Sequence, residues 1–171
     1  MVIERLAAYH DRKEFTCGVP ELDEYFRARA SQDVKRRAAA VFVLVESAGG
    51  SEALGFYMLS STAIDVGRLP PEFLKKMPRY QQLPATLIGR LTRRAERSGE
   101  GLGGKLLVNA LRRAVETSAT IGSVAVVVDA KGERARRWYE GYGFVRFRGY
   151  PDRLWLGMGS LPSLQGRSIE I

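Results

Sequence analysis

From Cys17 to Arg37 the hydrophobic and polar positions follow a helical period. Leu22, Tyr25, Phe26, Arg29 and Ala30 recur at that spacing, and Pro20 suits a first helical turn. Residues 2–9 before it read as a first strand. After it, "AAVFVLVES" (39–47) and "EALGFYMLSSTAI" (52–64) read as two strands folded into a hairpin about the turn "AGG". "GRLPPEFLKKMPRYQQLP" is a proline-punctuated excursion with room for at most one short helix. "ATLIGRLTR" (85–93) is a fourth strand, leading into "ERSGEGLGGKLLVNAL", four glycines ahead of an apolar helical run. That helix places Leu107, Leu111, Ala114 and Val115 on one side, with Asn109, Arg112, Arg113 and Glu116 mostly on the other. Gly122 is a stop or turn residue.

"SVAVVVDA" (123–130) is a continuous β-branched run, the pattern of a strand buried on both faces. "GERARRWYEGYG" (132–143) reads as a second long helix with a glycine-rich exit, and "FVRFRG" and "DRLWLGM" close the sheet. Helices set among mixed strands predict an α/β (α+β) fold: a central mixed, twisted sheet of about six to seven strands flanked by helices on both faces. The expected organisation is a single domain over 1–159 with a C-terminal tail over 160–171.

Composition narrows the classes. Of 171 residues, 45% are hydrophobic, enough for a core and against disorder. One cysteine, Cys17, excludes an internal disulfide framework, and with one histidine, His10, it excludes a Cys/His metal site. No basic start followed by an apolar run marks a signal peptide, and no window is long enough to span a membrane, so a cytoplasmic protein is expected.

Charge adds direction. Lys and Arg number 27 against 19 Asp and Glu, a net charge of +8. Between Arg90 and Arg113 seven bases face only Glu96 and Glu100, and "VKRRAAA" and "LKKMPRY" are further basic clusters. Such a surface favours polyanions, and the arginine fork suits phosphate. A solvated face that only confers solubility would look the same.

The glycine stretch admits three readings that share one device, bare backbone N–H groups gathered around an anion at a helix start. A P-loop needs Ser or Thr after Lys105, where Leu106 stands. A dinucleotide fingerprint over Gly99, Gly101 and Gly104 needs a strand running straight into the glycines, and Arg93 to Arg97 intervene. The third reading is a loop for the pyrophosphate of coenzyme A.

The order of strand, "SGEGLG", helix, buried strand and helix ending "WYEGYGF" resembles the GNAT acetyltransferase superfamily. Its loop pattern is Arg/Gln-x-x-Gly-x-Gly/Ala, with a tyrosine shortly before Gly-Phe. Gly101 and Gly103 take the glycine positions, and Tyr139 stands ahead of Gly143-Phe144. The departure is Ser98, which stands where Arg or Gln is usual; it supplies no charge, and adjacent Arg97 is a substitute source. Phe15, Cys17, Gly18, Leu22 and Asp23, followed by Lys35, Arg36 and Arg37, resemble the F-x-C-G-x-x-x-L-D opening and basic turn of TacT-like tRNA-acetylating toxins. The likeness covers most of the chain.

That resemblance implies acetyl-CoA as cosubstrate and direct transfer to an amine, with Tyr139 as the general acid for the departing thiolate. Ser98, Gly99, Gly101, Leu102, Gly103 and Gly104 would hold the pyrophosphate, and the backbone at Leu91, Thr92 and Arg93 would pair with the pantetheine arm. Lys35, Arg36, Arg37 and Arg90 are the candidates for contact with tRNA. No metal is implied. A ribbon-helix-helix antitoxin and a homodimer are implied as partners, alongside aminoacyl-tRNA as substrate. Trp138, Tyr142 and Phe144 read as packing, and Cys17, with no histidine placed to activate it, as a small structural residue. The fourth strand carries no carboxylate base, which favours an α-amino group, with its ordinary pKa near 7.7–8.0, over a lysine near 10.4. Two alternatives stay open: a GNAT enzyme for a small amine or protein N-terminus, and a catalytically weak nucleic-acid-binding protein of the same fold.

Overall fold

A computed structural model describes residues 1–161; residues 162–171, most of the expected tail, lie outside the described residues. The strands are β1 (Val2–Arg5), β2 (Ala40–Val45), β3 (Gly55–Asp65), β4 (Gln82–Arg93), β5 (Ala125–Asp129), β6 (Val145–Phe147) and β7 (Tyr150–Gly157). They form one mixed seven-stranded sheet in the order β1-β2-β3-β4-β5-β7-β6. The helices are α1 (Pro20–Glu24), α2 (Ala30–Lys35), α3 (Pro71–Leu74), α4 (Leu102–Ser118) and α5 (Gly132–Glu140), with a π-helical segment, Tyr25–Arg29, between α1 and α2. By their contacts the described residues group into two compact units, one of 1–60 with 88–112, the other of 61–87 with 113–161.

In the first unit the expected hairpin pairs β2 with β3, with Ala40 opposite Leu59 and Leu44 opposite Gly55. Gly55 is fixed by crowding: a Cβ there would lie 2.8 Å from the carbonyl oxygen of Thr92 and 2.9 Å from a Leu106 methyl. The core is aromatic. Phe26 and Phe56 stack at 4.3 Å, and Phe15 meets both edge-on.

Two expectations here are corrected. The first strand stops at Arg5, because the Ala7 N–H turns to His10 Nδ1 and the His10 N–H to the Ala7 carbonyl. Glu4 then ties the turn down, accepting from the Tyr9 hydroxyl, His10 Nε2 and the Gly49 N–H. The expected 17–37 helix is not uniform: the Ala30 N–H reaches the Tyr25 carbonyl, five residues back, so one extra residue is accommodated. That bulge lets Tyr25, Phe26 and Ala30 all be buried.

In the second unit β5 pairs with β7 and β7 with β6, all antiparallel. Val126, Val127 and Val128 are fully buried, as the β-branched run predicts. Ile64, Leu69, Leu83, Ala125, Val127, Phe147 and Trp155 form its core, with Phe73 edge-on to Trp155. The proline-rich excursion holds α3 and one 3-10 turn, Val66–Arg68. Among the described residues, no helix is long and apolar enough to cross a membrane.

Candidate active site

In the first unit β4 ends at Arg93, the chain makes a 3-10 turn over Ala95–Arg97, and α4 begins at Leu102. Between them Gly99 and Gly101 adopt φ of +88° and +69°, left-handed values that favour glycine. A Cβ added at either would meet nothing within 4 Å, so backbone conformation rather than crowding selects glycine, and the space beside the loop is open. The N–H groups of the first turn of α4, including Leu102, Gly103 and Gly104, have no acceptor inside the helix, whose first bond here is from the Lys105 N–H to Gly101. No acidic residue lies in that turn. An open, glycine-built collar of N–H groups at the positive end of a helix fits a diphosphate.

The residues leading into the loop sort by charge balance. Arg94 is buried; its Nε donates to the Ala53 carbonyl at 2.8 Å, and Glu52 and Glu96 lie 3.7 and 3.3 Å from the guanidinium. Its own N–H bonds the Leu54 carbonyl and that of Ala95 bonds Thr16, so the strand end is fastened on two sides. Nothing in the local sequence marked Arg94 as the buried member of an arginine run. Arg97 bonds Glu100 at 2.6 Å and lies 3.9 Å from Glu46. Arg93 behaves differently. Its Nη1 donates to the carbonyls of Arg94 and Ala95 and its Nη2 to Ser98 Oγ at 2.8 Å. Leu91, Thr92 and Arg93 are all half-buried at the end of β4.

Lys35, Arg36 and Arg37 lie at the C-terminal end of α2, Lys35 and its two neighbours forming the basic turn into β2. Arg37 holds φ of +57°, the one non-glycine residue in the left-handed region among those described. Its N–H bonds the Val34 carbonyl and that of Ala38 bonds Asp33, a helix stop that glycine would fill at lower cost. Arg90 is placed otherwise: its guanidinium lies 3.7 Å from the centre of the Tyr25 ring, and Nη1 is 3.0 Å from the Met58 sulfur. Asn109, expected on the polar side of α4, is half-buried and accepts from the Tyr57 hydroxyl at 2.7 Å.

Cys17 is half-buried. Its N–H donates to Asp23 Oδ1, its Sγ lies 3.8 Å from the Val19 carbonyl, and burial raises the thiol pKa, the opposite of nucleophile activation. Asp23, buried at the start of the first helix, also accepts from the Thr16 hydroxyl. No group of three His, Cys, Asp or Glu side chains able to hold a metal occurs among the described residues.

In the second unit Tyr139 sits in the last turn of α5, 8% exposed. Gly143, at φ of +93°, reverses the chain after the helix, and the Tyr142 and Phe144 N–H groups both bond the Tyr139 carbonyl. This turn carries Phe144 back beneath Tyr139, where the rings meet edge-on at 5.4 Å; Trp138 meets it edge-on at 4.9 Å and Tyr142 packs on Trp138. The spacing of tyrosine ahead of Gly-Phe is thus a packing unit. Burial, with a lesser contribution from Asp129, pushes the Tyr139 pKa up to about 12. The phenol therefore stays protonated at any ordinary pH.

No protein-family model matches the chain. It is 31% identical over 164 residues to a relative named "Probable toxin TacT" of Sinorhizobium fredii (strain NBRC 101917 / NGR234), covering 92% of this chain and 90% of that one. A "tRNA-acetylating toxin" of Mycobacterium tuberculosis (strain ATCC 25618 / H37Rv) is 31% identical over 140 residues, covering 82% of this chain and 81% of the relative. Among solved structures, AtaT complexed with acetyl-methionyl-tRNAfMet superposes with a TM-score of 0.89 at 24% identity, over 96% of this chain and 98% of that one. An AtaT variant bound to the C-terminus of the antitoxin AtaR and acetyl-CoA gives 0.82 at 21%, over 97% and 98%. By sequence and fold together, the chain belongs to the TacT-like, GNAT-type toxin family.

Proposed function

We propose that the chain is an acetyl-CoA-dependent N-acetyltransferase that acetylates the α-amino group of aminoacyl-tRNA and so blocks translation. The observation that carries this reading is the open Gly99–Gly101 collar at the start of α4, in a chain whose relatives include a tRNA-acetylating toxin. Acetyl-CoA, when bound, supplies an acetyl group already activated as a thioester. The N–H groups from Ser98 to Gly104 bind its diphosphate, and the backbone edge at Leu91, Thr92 and Arg93 takes the pantetheine amides as an added strand would be taken. The neutral α-amino nitrogen would attack the thioester carbonyl carbon. As the carbon–sulfur bond breaks, Tyr139 gives its hydroxyl proton to the coenzyme's sulfur, and the proton released by the new amide nitrogen returns, directly or through water, to the phenolate.

The substrate class follows from what β4 lacks and what the chain carries. β4 offers no carboxylate to strip a lysine ammonium, whereas an α-amino group, ordinarily with a pKa near 7.7–8.0 and lowered further by esterification, is already neutral in good part near pH 7. Lys35, Arg36, Arg37 and the net charge of +8 favour an RNA backbone over basic peptides. Arg90 contributes through its ring-stacked position on Tyr25. An antitoxin partner completes the proposal, supported by the AtaT variant bound to the C-terminus of the antitoxin AtaR; its ribbon-helix-helix type, a homodimer and a cytoplasmic setting rest on the family resemblance.

Incubation with labelled acetyl-CoA and a total pool of charged tRNA tests this reading. The expected result is label on tRNA that is lost when the aminoacyl ester is hydrolysed. Label confined to peptides or free amines would assign the enzyme to another acceptor.

A further inference from the structure

Resting on the acetyltransferase reading, the geometry points to Arg93 as the cation that the glycine loop lacks at Ser98: its side chain, steered across by Ser98, binds the coenzyme's diphosphate. The argument is one of charge balance. Three arginines precede the loop. Arg94 is buried and committed to the Ala53 carbonyl, with Glu52 and Glu96 beside it, and Arg97 is committed to Glu100 and Glu46. Arg93, half-buried like a group held partly out of water, bonds only neutral acceptors among the described residues: two carbonyls and the Ser98 hydroxyl. A guanidinium has five N–H donors in a fixed fork, and three bonds to neutral oxygens leave its charge uncompensated.

The three acceptors also fix where that charge lies. The carbonyls of Arg94 and Ala95 sit in the turn, and Ser98 immediately precedes the left-handed Gly99. The guanidinium is therefore held on the turn that leads directly into the loop whose amides open toward an anion. A serine in that place is then no loss of function in the loop. It is a short, neutral acceptor that makes room for a longer side chain from five residues upstream and orients it. Arg97, the nearer arginine in sequence, cannot do this without giving up a 2.6 Å bond to Glu100. Arg93 is accordingly a binding residue, and Ser98 a positioning residue that acts through it.

Calorimetric titration of acetyl-CoA into wild type, Arg93→Ala, Ser98→Ala and the double variant Arg93→Ala/Ser98→Arg tests the assignment, with thermal melting of each to verify folding. Losing a charge-assisted bond to phosphate predicts acetyl-CoA binding weaker by about ten-fold or more in Arg93→Ala. Ser98→Ala, which keeps the charge and removes its anchor, should lose less. The double variant, which returns a guanidinium to the loop position itself, should recover most of the affinity. Raising salt should shrink the difference between wild type and Arg93→Ala. Wild-type affinity in Arg93→Ala, or a double variant as weak as the single, overturns the inference while leaving the acetyltransferase reading standing. A wild-type protein that binds no acetyl-CoA overturns both.

Discussion

In the proposed reaction the glycine loop and the Tyr139 turn work by opposite physical means. The loop is exposed, polar and made largely of backbone. Its working groups are N–H donors, set by the backbone conformation of two left-handed glycines. The Tyr139 turn is buried and aromatic, and its working group is one hydroxyl whose proton affinity is set by what surrounds it. One region gains its chemistry from conformation, the other from desolvation. Substitutions in the first should therefore read out in coenzyme affinity, and those in the second in the rate of the chemical step.

The largest expected effect is on the second side of that comparison. Tyr139→Phe keeps the ring and its edge contacts and removes only the hydroxyl, so turnover should fall by about 10²–10⁴-fold with acetyl-CoA affinity unchanged. Single-turnover rates beside calorimetric titration would separate the two; equal losses in both would reassign Tyr139 to packing. Next in size, Gly101→Ala forces a side chain into a left-handed backbone at a cost of about 1–2 kcal/mol. Acetyl-CoA should bind roughly five- to thirty-fold more weakly, with the rate at saturation little altered. Because a Cβ meets no neighbour there, a loss confined to binding distinguishes conformational selection from a steric clash.

Smaller effects refine the picture. Arg37→Gly relieves the left-handed strain at the end of α2 and should raise stability by about 1 kcal/mol in chemical denaturation. If Arg37 serves RNA, affinity for tRNA should drop several-fold in the same variant, a trade visible only when both are measured. Smallest of all, Arg97→Ala removes a surface ion pair and should change acetyl-CoA affinity less than about two-fold. A large loss there would mean that Arg97, and not Arg93, carries the charge of the loop.

Hydrophobic spacing made most of the fold legible. The β2–β3 hairpin, the buried run of β5 and the amphipathic face of α4 follow directly from period and burial, since each element buries a face its own pattern defines. The π-helical turn at Tyr25 did not, because an extra residue in a helix leaves the apolar period nearly intact while shifting which atoms bond. Nor did the end of β1, where a histidine three residues away takes over an N–H that a neighbouring strand would have bonded. Within the site, glycine positions were readable because φ restricts residue type strongly. The roles of Arg93, Arg94 and Arg97 were not, since three near-adjacent arginines differ only in which acceptor each side chain reaches in the folded chain.

The pH dependence of single-turnover acetyl transfer to aminoacyl-tRNA, at saturating acetyl-CoA from about pH 6 to about pH 10, tests the central claim most directly. The account predicts a rate that climbs as the substrate amine loses its proton and then holds level to the top of that range, because a phenol with pKa pushed up to about 12 remains protonated throughout. A descending limb with an apparent pKa below about 9 would show that some other acid supplies the proton, and would contradict the assignment of Tyr139.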